Sequence, residues 1–187
     1  MPLYENVIDL AAQAARLRAR RHGMIEVVAG RLVRVRLRPW MRRASLVEIK
    51  TLGRWQHHGR AIDRCRLYYT QPRAMPTYLA VTYAISGRGA TLASVRGALV
   101  VLDEIARLRK VDALLCDLGN ARISDRLATR WGWARLDPSR RQYIKRFYGR
   151  YPPPDPLLHA LCAGERPAAS DESPICTHTQ PSRSLTG

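Results

Sequence analysis

The apolar residues of this chain change their spacing at Thr91, and this change restricts the possible folds more than any other feature. From about 77 to 85 the larger apolar side chains fall on every second residue, as in a β-strand. From Thr91 to near Lys110 they recur every three or four residues, which predicts an amphipathic helix with Thr91 as its N-cap. The apolar run 113–118 fits a buried strand. Two strands joined by a helix favour a parallel pair, because the right-handed crossover is the low-cost connection.

The segment before this unit predicts further strands. In residues 31–38 apolar and basic side chains alternate, so one face of the strand is expected in the core and the other in solvent. The residues predicted to be buried are Val33, Val35 and Leu37, and the predicted solvated row is Arg34, Arg36 and Arg38. Extended runs also occur at about 45–51 and 61–70. Gly, Pro and polar clusters between the runs indicate an antiparallel meander.

Helical and hairpin patterns occupy the two ends of the folded region. Residues 3–21 predict an amphipathic first helix with basic last turns. Apolar residues spaced four apart predict a short helix that stops at Gly132. Segments 133–136 and 142–148 flank a turn-like sequence and predict a closing hairpin. The predicted fold is α/β with a mixed (α+β) sheet: an N-terminal helix, an antiparallel meander, two βα units and a terminal hairpin.

Charge is unevenly distributed along the 187 residues, which suffice for one domain. The whole chain carries 32 Lys and Arg against 15 Asp and Glu. From Tyr151 onward there are two basic and four acidic residues in a stretch rich in Pro, Ser and Thr, a composition typical of disorder. We therefore predict one folded domain at 1–150, with a formal charge of +19, and a disordered tail at 151–187. So basic a domain indicates a polyanionic partner or an anionic ligand.

Several classes of protein are disfavoured by the composition. No apolar run approaches the roughly 20 residues of a membrane span, and the N-terminus has no continuous apolar stretch of signal-peptide type. A soluble, cytoplasmic protein without a membrane partner is expected. The four cysteines form no C-x-x-C pair, which speaks against zinc and redox motifs. His57, His58 and Cys65 are too few ligands for a metal site, so no metal is expected.

Several short motifs follow one another between residues 78 and 148. Gly87-Arg88-Gly89-Ala90 lies between the first strand and the helix after Thr91, Asn120 follows the second strand, and Gly132-Trp133 precedes the hairpin. This order resembles the C-terminal half of the GNAT superfamily of acyl-CoA-dependent N-acetyltransferases over about 70 residues. The resemblance implies a GNAT-like fold and transfer of an acyl group, most simply acetyl, to an amine of unknown identity.

The resemblance also implies where the cofactor, acetyl-CoA or another acyl-CoA, binds. The implied cofactor-binding residues are Gly87, Arg88, Gly89, Ala90, Thr91 and Asn120. A glycine loop at a helix N-terminus presents backbone N–H groups to the pyrophosphate, where the helix dipole favours negative charge. Transfer is expected to be direct, without a covalent intermediate. The sequence leaves the catalytic acid and base unassigned.

The chain departs from the family pattern at three positions. Ala84 stands where the family has Gln or Arg, Ala128 stands where it has a general-acid Tyr, and Asn120 is one residue further from Gly132 than expected. An inactive relative that keeps the fold is therefore the alternative. The loop at 87–89 also fits a plain turn, and Asn120 also fits a helix cap.

In this alternative, the inactive relative binds RNA, DNA or a ribonucleoprotein through an arginine-rich surface. Arginine binds phosphate in a bidentate manner and stacks on bases. The predicted polyanion-binding residues are Arg34, Arg36, Arg38, Arg42, Arg43, Arg140, Arg141, Lys145 and Arg146. With three lysines in the whole chain, the choice of arginine also fits a general compositional bias.

Overall fold

We describe the chain from a computed structural model, which covers residues 4–38, 63–86, 89–117, 123–137 and 139–163. Within these residues the fold is an α+β structure with one eight-stranded mixed sheet and four helices. The strands are β1 (Glu5–Val7), β2 (His22–Val28), β3 (Arg31–Arg38), β4 (Arg64–Thr70), β5 (Tyr78–Ser86), β6 (Ala113–Asp117), β7 (Ala134–Asp137) and β8 (Gln142–Arg146). The helices are α1 (Ala14–Ala19), α2 (Leu92–Arg109), α3 (Asp125–Arg130) and α4 (Pro156–Ala163).

The sheet has the order β1-β3-β2-β4-β5-β6-β8-β7. β5 and β6 are parallel, and the other pairs are antiparallel. The parallel pair predicted around α2, the strand at 31–38 and the closing hairpin are confirmed, and the run predicted at about 61–70 contains β4. The run at 45–51 lies outside the described residues.

Helix α2 packs on one face of the sheet and organises the core. The Thr91 side chain accepts a hydrogen bond from the Ser94 amide at 3.2 Å, which confirms Thr91 as the N-cap. Lys110 ends the helix in the left-handed conformation, with φ of 54°. Leu102 and Ile105 are fully buried at the centre of α2, and the core side of the sheet packs against them.

The prediction of a helix over 3–21 is wrong for most of its length. Residues 5–7 form β1, which pairs with β3, and α1 is limited to 14–19. Strand β2 was not predicted at all. It lies between β3 and β4 and is buried along most of its length, so its sequence lacks the alternation that marks a half-exposed strand.

The expected burial of Val33 is also wrong, because β3 contains a β-bulge. The pairing with β2 moves from Glu26–Arg34 to Val27–Leu32, so Val33 has no partner in the register. Val33 is 41% exposed, and Leu32 takes the buried position instead. Val35 and Leu37 are buried as predicted.

The folded body continues beyond the predicted boundary at residue 150. The Tyr151 hydroxyl donates a hydrogen bond to the Val111 carbonyl at 2.9 Å, and α4 follows. Leu161 of α4 is 1% exposed and packs into the core beside Gly97 of α2. The chain between 151 and 163 therefore belongs to the body, while residues 164–187 lie outside the described part.

None of the described helices is long and apolar enough to cross a membrane.

Candidate functional site

Strands β5 and β6 separate part of the way along β5. Their pairing runs from Tyr78–Ala113 to Val81–Cys116, and β5 continues to Ser86 paired with β4 alone among the described strands. A register shift between β4 and β5 leaves Thr82 as an extra residue where the separation begins. A bulge bends its strand, which accounts for the divergence of β5 from β6.

An apolar cavity of about 340 Å³ fills the gap on the α2 side of the sheet. Val81 and Ala84 of β5, Val95 and Leu99 of α2, and Cys116 of β6 contribute to its walls. Its lining follows β5 from Val81 to Ser86 and includes Val95 in the first turns of α2. It is therefore suited to an elongated, largely apolar group.

A second cavity, of about 230 Å³, shares Val81, Cys116 and Asp117 with the first. Its other walls include Ala80 and Leu115, which precede Val81 and Cys116 along their strands. Since successive residues of a strand point to opposite faces, this cavity opens toward the other face of the sheet. The two cavities therefore share a wall formed by Val81, Cys116 and Asp117.

The N-terminus of α2 is occupied by a carboxylate of the chain itself. The Thr91 amide donates to Asp63 Oδ1 at 2.9 Å, and the Thr91 hydroxyl donates to Asp63 Oδ2 at 2.9 Å. Gly89 is half-buried and Ala90 is buried beside it, while Gly87 and Arg88 lie outside the described residues. Asp63 lies far from Thr91 in sequence, and no motif marks it.

Two cysteines lie in the wall of the larger cavity, and both are held as thiols. Burial raises the pKa of Cys65 to about 12, and the nearby Asp63 charge adds to the effect. Burial and the charge of Asp117 raise the pKa of Cys116 to about 12 in the same way. Neither thiol is therefore an effective nucleophile at neutral pH.

Asp117, at the end of β6, is the exposed carboxylate that lines both cavities.

Helix α3 supports the second cavity through Tyr143. Ser124, not Asn120, caps α3, since its side chain accepts from the Leu127 amide at 3.2 Å. Asn120 itself lies outside the described residues. The hydroxyl of Tyr143, which lines the second cavity, donates to Asp125, and this hydrogen bond lowers the pKa of Asp125. Ala128 of α3 is fully buried, and its methyl side chain has no polar group.

The predicted arginine row of β3 lies on the sheet face opposite α2. Arg34 binds Glu26 of β2 at 2.9 Å, and Arg66 of β4 binds the other oxygen of Glu26 at 2.8 Å. Glu26 is 2% exposed. Burial opposes its ionisation, but the hydrogen bonds and charges of Arg66 and Arg34 outweigh burial and lower its pKa.

The remaining arginines of the row contact tyrosine rings instead. The guanidinium groups of Arg36 and Arg38 lie 5.6 and 5.9 Å from the ring centre of Tyr4. Arg38 also lies 5.2 Å from the ring centre of Tyr68. These distances are typical of cation–π contacts. Arg42 and Arg43 are outside the described residues.

The basic residues of the final hairpin do not join this row. Strand β8 is separated from β3 by β2, β4, β5 and β6, which places the two groups roughly 24 Å apart at the usual strand spacing. Lys145 points to α2 and binds Asp103 at 2.7 Å. Arg141 donates to the Ile123 carbonyl, whereas Arg140 and Arg146 are exposed. The described members of the predicted polyanion-binding set therefore form two separate groups.

No protein-family model, no curated protein and no solved structure matches this chain.

Proposed function

We propose that this chain is an acyl-CoA-dependent N-acyltransferase with a GNAT-like fold, which transfers an acyl group, most simply acetyl, directly to an amine. The observation that carries the proposal is the separation of the parallel strands β5 and β6 beside an apolar cavity, with the N-terminus of α2 nearby. The resemblance noted between residues 78 and 148 supports the same function.

The cavity suits the donor in both shape and polarity. Past Val81, the backbone groups on the β6 side of β5 have no ladder partner in the described part of β6. Such groups can pair with the amides of a pantetheine chain, as backbone polar groups need partners when water is excluded. The apolar walls at Val95 and Leu99 then cover the methylene groups. Phosphates are expected near Gly89 and Thr91, where the helix dipole is positive.

An acyl-CoA supplies an activated thioester carbonyl when bound. The residues of this chain have to position the amine and accept its proton. Asp117 is suited to accept the proton because it lines both cavities where they meet. The raised pKa values of Cys65 and Cys116 favour direct attack by the amine over an acyl-cysteine intermediate.

A bulky residue in the donor cavity tests the proposal. Ala84 is exposed in β5 and lines the cavity, so Ala84→Trp is expected to fill it and abolish binding of acetyl-CoA with little effect on folding. Ala134→Trp makes the same change at an exposed position of β7 and serves as the matched control. Binding is measured by thermal shift and calorimetry with acetyl-CoA, CoA and ATP.

The proposal requires acetyl-CoA and CoA to stabilise the wild type and Ala134→Trp more than ATP does, and to leave Ala84→Trp unaffected. Equal stabilisation by ATP would show generic anion binding instead. Binding that survives Ala84→Trp would exclude this cavity as the donor site.

A further inference from the structure

The face of the sheet opposite α2 carries a concentrated positive charge. Along β3 and β4, arginines alternate with residues that pack in the core beneath α2, so they share the other face. These arginines are Arg34, Arg36, Arg38, Arg64 and Arg66. Glu26 is the one acidic residue in β2, β3 and β4. The face is therefore left with an excess of positive charge.

Glu26 divides these arginines into two groups. Arg34 and Arg66 are held by it directly, and Arg64 lies 3.7 Å from the same carboxylate. Arg36 and Arg38 pair across the sheet with Met24 and His22 of β2, which offer no carboxylate. In the described part of the chain, the buried Nε atoms of Arg36 and Arg38 have no hydrogen-bond acceptor.

Aromatic rings lie directly beside the two arginines that lack a carboxylate. Tyr4, which is 42% exposed, lies next to both, and Tyr68 lies next to Arg38. Tyr68 in turn contacts Tyr83 of β5, with ring centres 6.4 Å apart. We call Tyr4, Arg36, Arg38 and Tyr68 the stacking patch.

We propose that the stacking patch binds single-stranded nucleic acid. Arg36 and Arg38 supply donors for the phosphates, and Tyr4 offers an exposed ring on which an unpaired base can stack. A duplex fits less well because its bases are stacked on each other and present only their edges. An acidic peptide could match the charge, but Asp and Glu side chains have no aromatic ring that stacks on the tyrosines. This binding does not require acyl transfer, since the patch lies on the sheet face opposite α2 and the proposed donor cavity lies on the α2 side, although Tyr83 lines that cavity and contacts Tyr68.

The direct test measures binding of a fluorescently labelled 12-nucleotide oligo(U) by anisotropy over a series of salt concentrations. The double variant Arg36→Gln/Arg38→Gln is expected to weaken binding about tenfold or more and to reduce the slope of log K against log salt by about 1.4, as for two lost phosphate contacts. Arg126→Gln/Arg130→Gln makes the same change in charge at exposed positions of α3 and is the control. A loss of equal size in the control would overturn the proposal by showing that net charge alone is responsible.

Substitutions of Tyr4 test the contribution of base stacking, because they leave the charge of the protein unchanged. Tyr4→Ala is expected to weaken oligo(U) binding several-fold, and Tyr4→Phe to retain it, since both tyrosine and phenylalanine have a face for stacking. Inorganic polyphosphate, which has no bases, should bind more weakly than oligo(U). Its affinity should be the same for the wild type, Tyr4→Ala and Tyr4→Phe. If polyphosphate or a 12-base-pair duplex binds as tightly as oligo(U), or if Tyr4→Ala has no effect, the patch is not a single-strand site. Ala84→Trp should leave oligo(U) binding intact, so that failure of the donor site and failure of the stacking patch are distinguished.

Discussion

At the scale of single residues, Asp63 places a negative charge at the N-terminus of α2, beside the proposed donor site. Its carboxylate binds both the amide and the hydroxyl of Thr91, at the end of α2 where an anionic ligand is expected. A fixed negative charge there satisfies the helix N-terminus when no ligand is bound. Under the proposed function, the same charge repels the phosphates of an incoming acyl-CoA.

Asp63→Asn is therefore expected to strengthen binding of acetyl-CoA. Asparagine keeps an oxygen that can accept from the Thr91 amide but removes the charge, and charges at helix ends contribute about 0.3–1 kcal/mol, so affinity should rise by up to about fivefold. Asp9→Asn is the matched control, because Asp9 also accepts from a backbone amide, that of Ala12, at 2.9 Å. Calorimetry of both variants measures the change. Weaker binding in Asp63→Asn would mean that the carboxylate organises the site and does not compete for it.

At the scale of secondary-structure elements, Glu26 joins three strands. It lies in β2 and binds Arg34 of β3 and Arg66 of β4, so that one buried carboxylate offsets the repulsion between neighbouring basic strands. Removal of one partner from a buried ion pair lowers the free energy of unfolding by more than the intact pair contributes to it. The reason is that the remaining buried charge no longer has an opposite charge beside it. The arginines are partly exposed, which reduces this cost through solvent screening.

Glu26→Gln is expected to lower the free energy of unfolding by about 2 kcal/mol at pH 7. The pKa of Glu26 is lower in the folded state, so its contribution is present above its ordinary pKa of 4.5 and is lost as the pH falls through the folded value. The difference between wild type and Glu26→Gln in denaturant titrations should thus shrink below about pH 4.5. Glu5→Gln, which breaks the more exposed pair with Arg20, should cost under about 1 kcal/mol. Equal effects of the two substitutions would show that Glu26 has no special role.

At the scale of the whole molecule, the body is completed by chain that follows the last strand. After β8 the chain passes through Tyr151 to α4, which returns to α2. Leu161 fills the space left by the absent side chain of Gly97, where an added Cβ would lie 3.0 Å from Leu161. The segment 151–163 is therefore part of the domain.

Leu161→Ala is expected to lower the free energy of unfolding by about 3 kcal/mol, the usual cost of a cavity at a buried leucine. His159→Ala changes an exposed residue in the same helix and should have an effect within about 0.5 kcal/mol. Both are measured by denaturant unfolding followed by circular dichroism. If the two variants are equally stable, α4 does not contribute to the core.

Local patterns in the sequence were sufficient for the βαβ unit and the closing hairpin. Strand β5, the cap at Thr91, helix α2 and strand β6 were predictable because their apolar spacing depends on neighbouring residues and on one buried face. The alternation along β3 likewise predicted the arginine row, although not the bulge that exposes Val33.

Strand β2, the contacts of Asp63 and Glu26, and the separation of β5 from β6 were decided by tertiary structure alone. Each of these features depends on residues that are distant in sequence. Strand β2 has no alternating pattern, since it is buried between β3 and β4. Asp63 reaches Thr91 only when β4 is aligned beside β5, and Glu26 meets Arg66 only across two paired strands. The separation of β5 from β6, on which the proposed donor site depends, results from strand register and not from any motif. The spacing of apolar residues indicates which side of a helix or strand is buried. The element that packs against that side is determined by the packing of the whole chain.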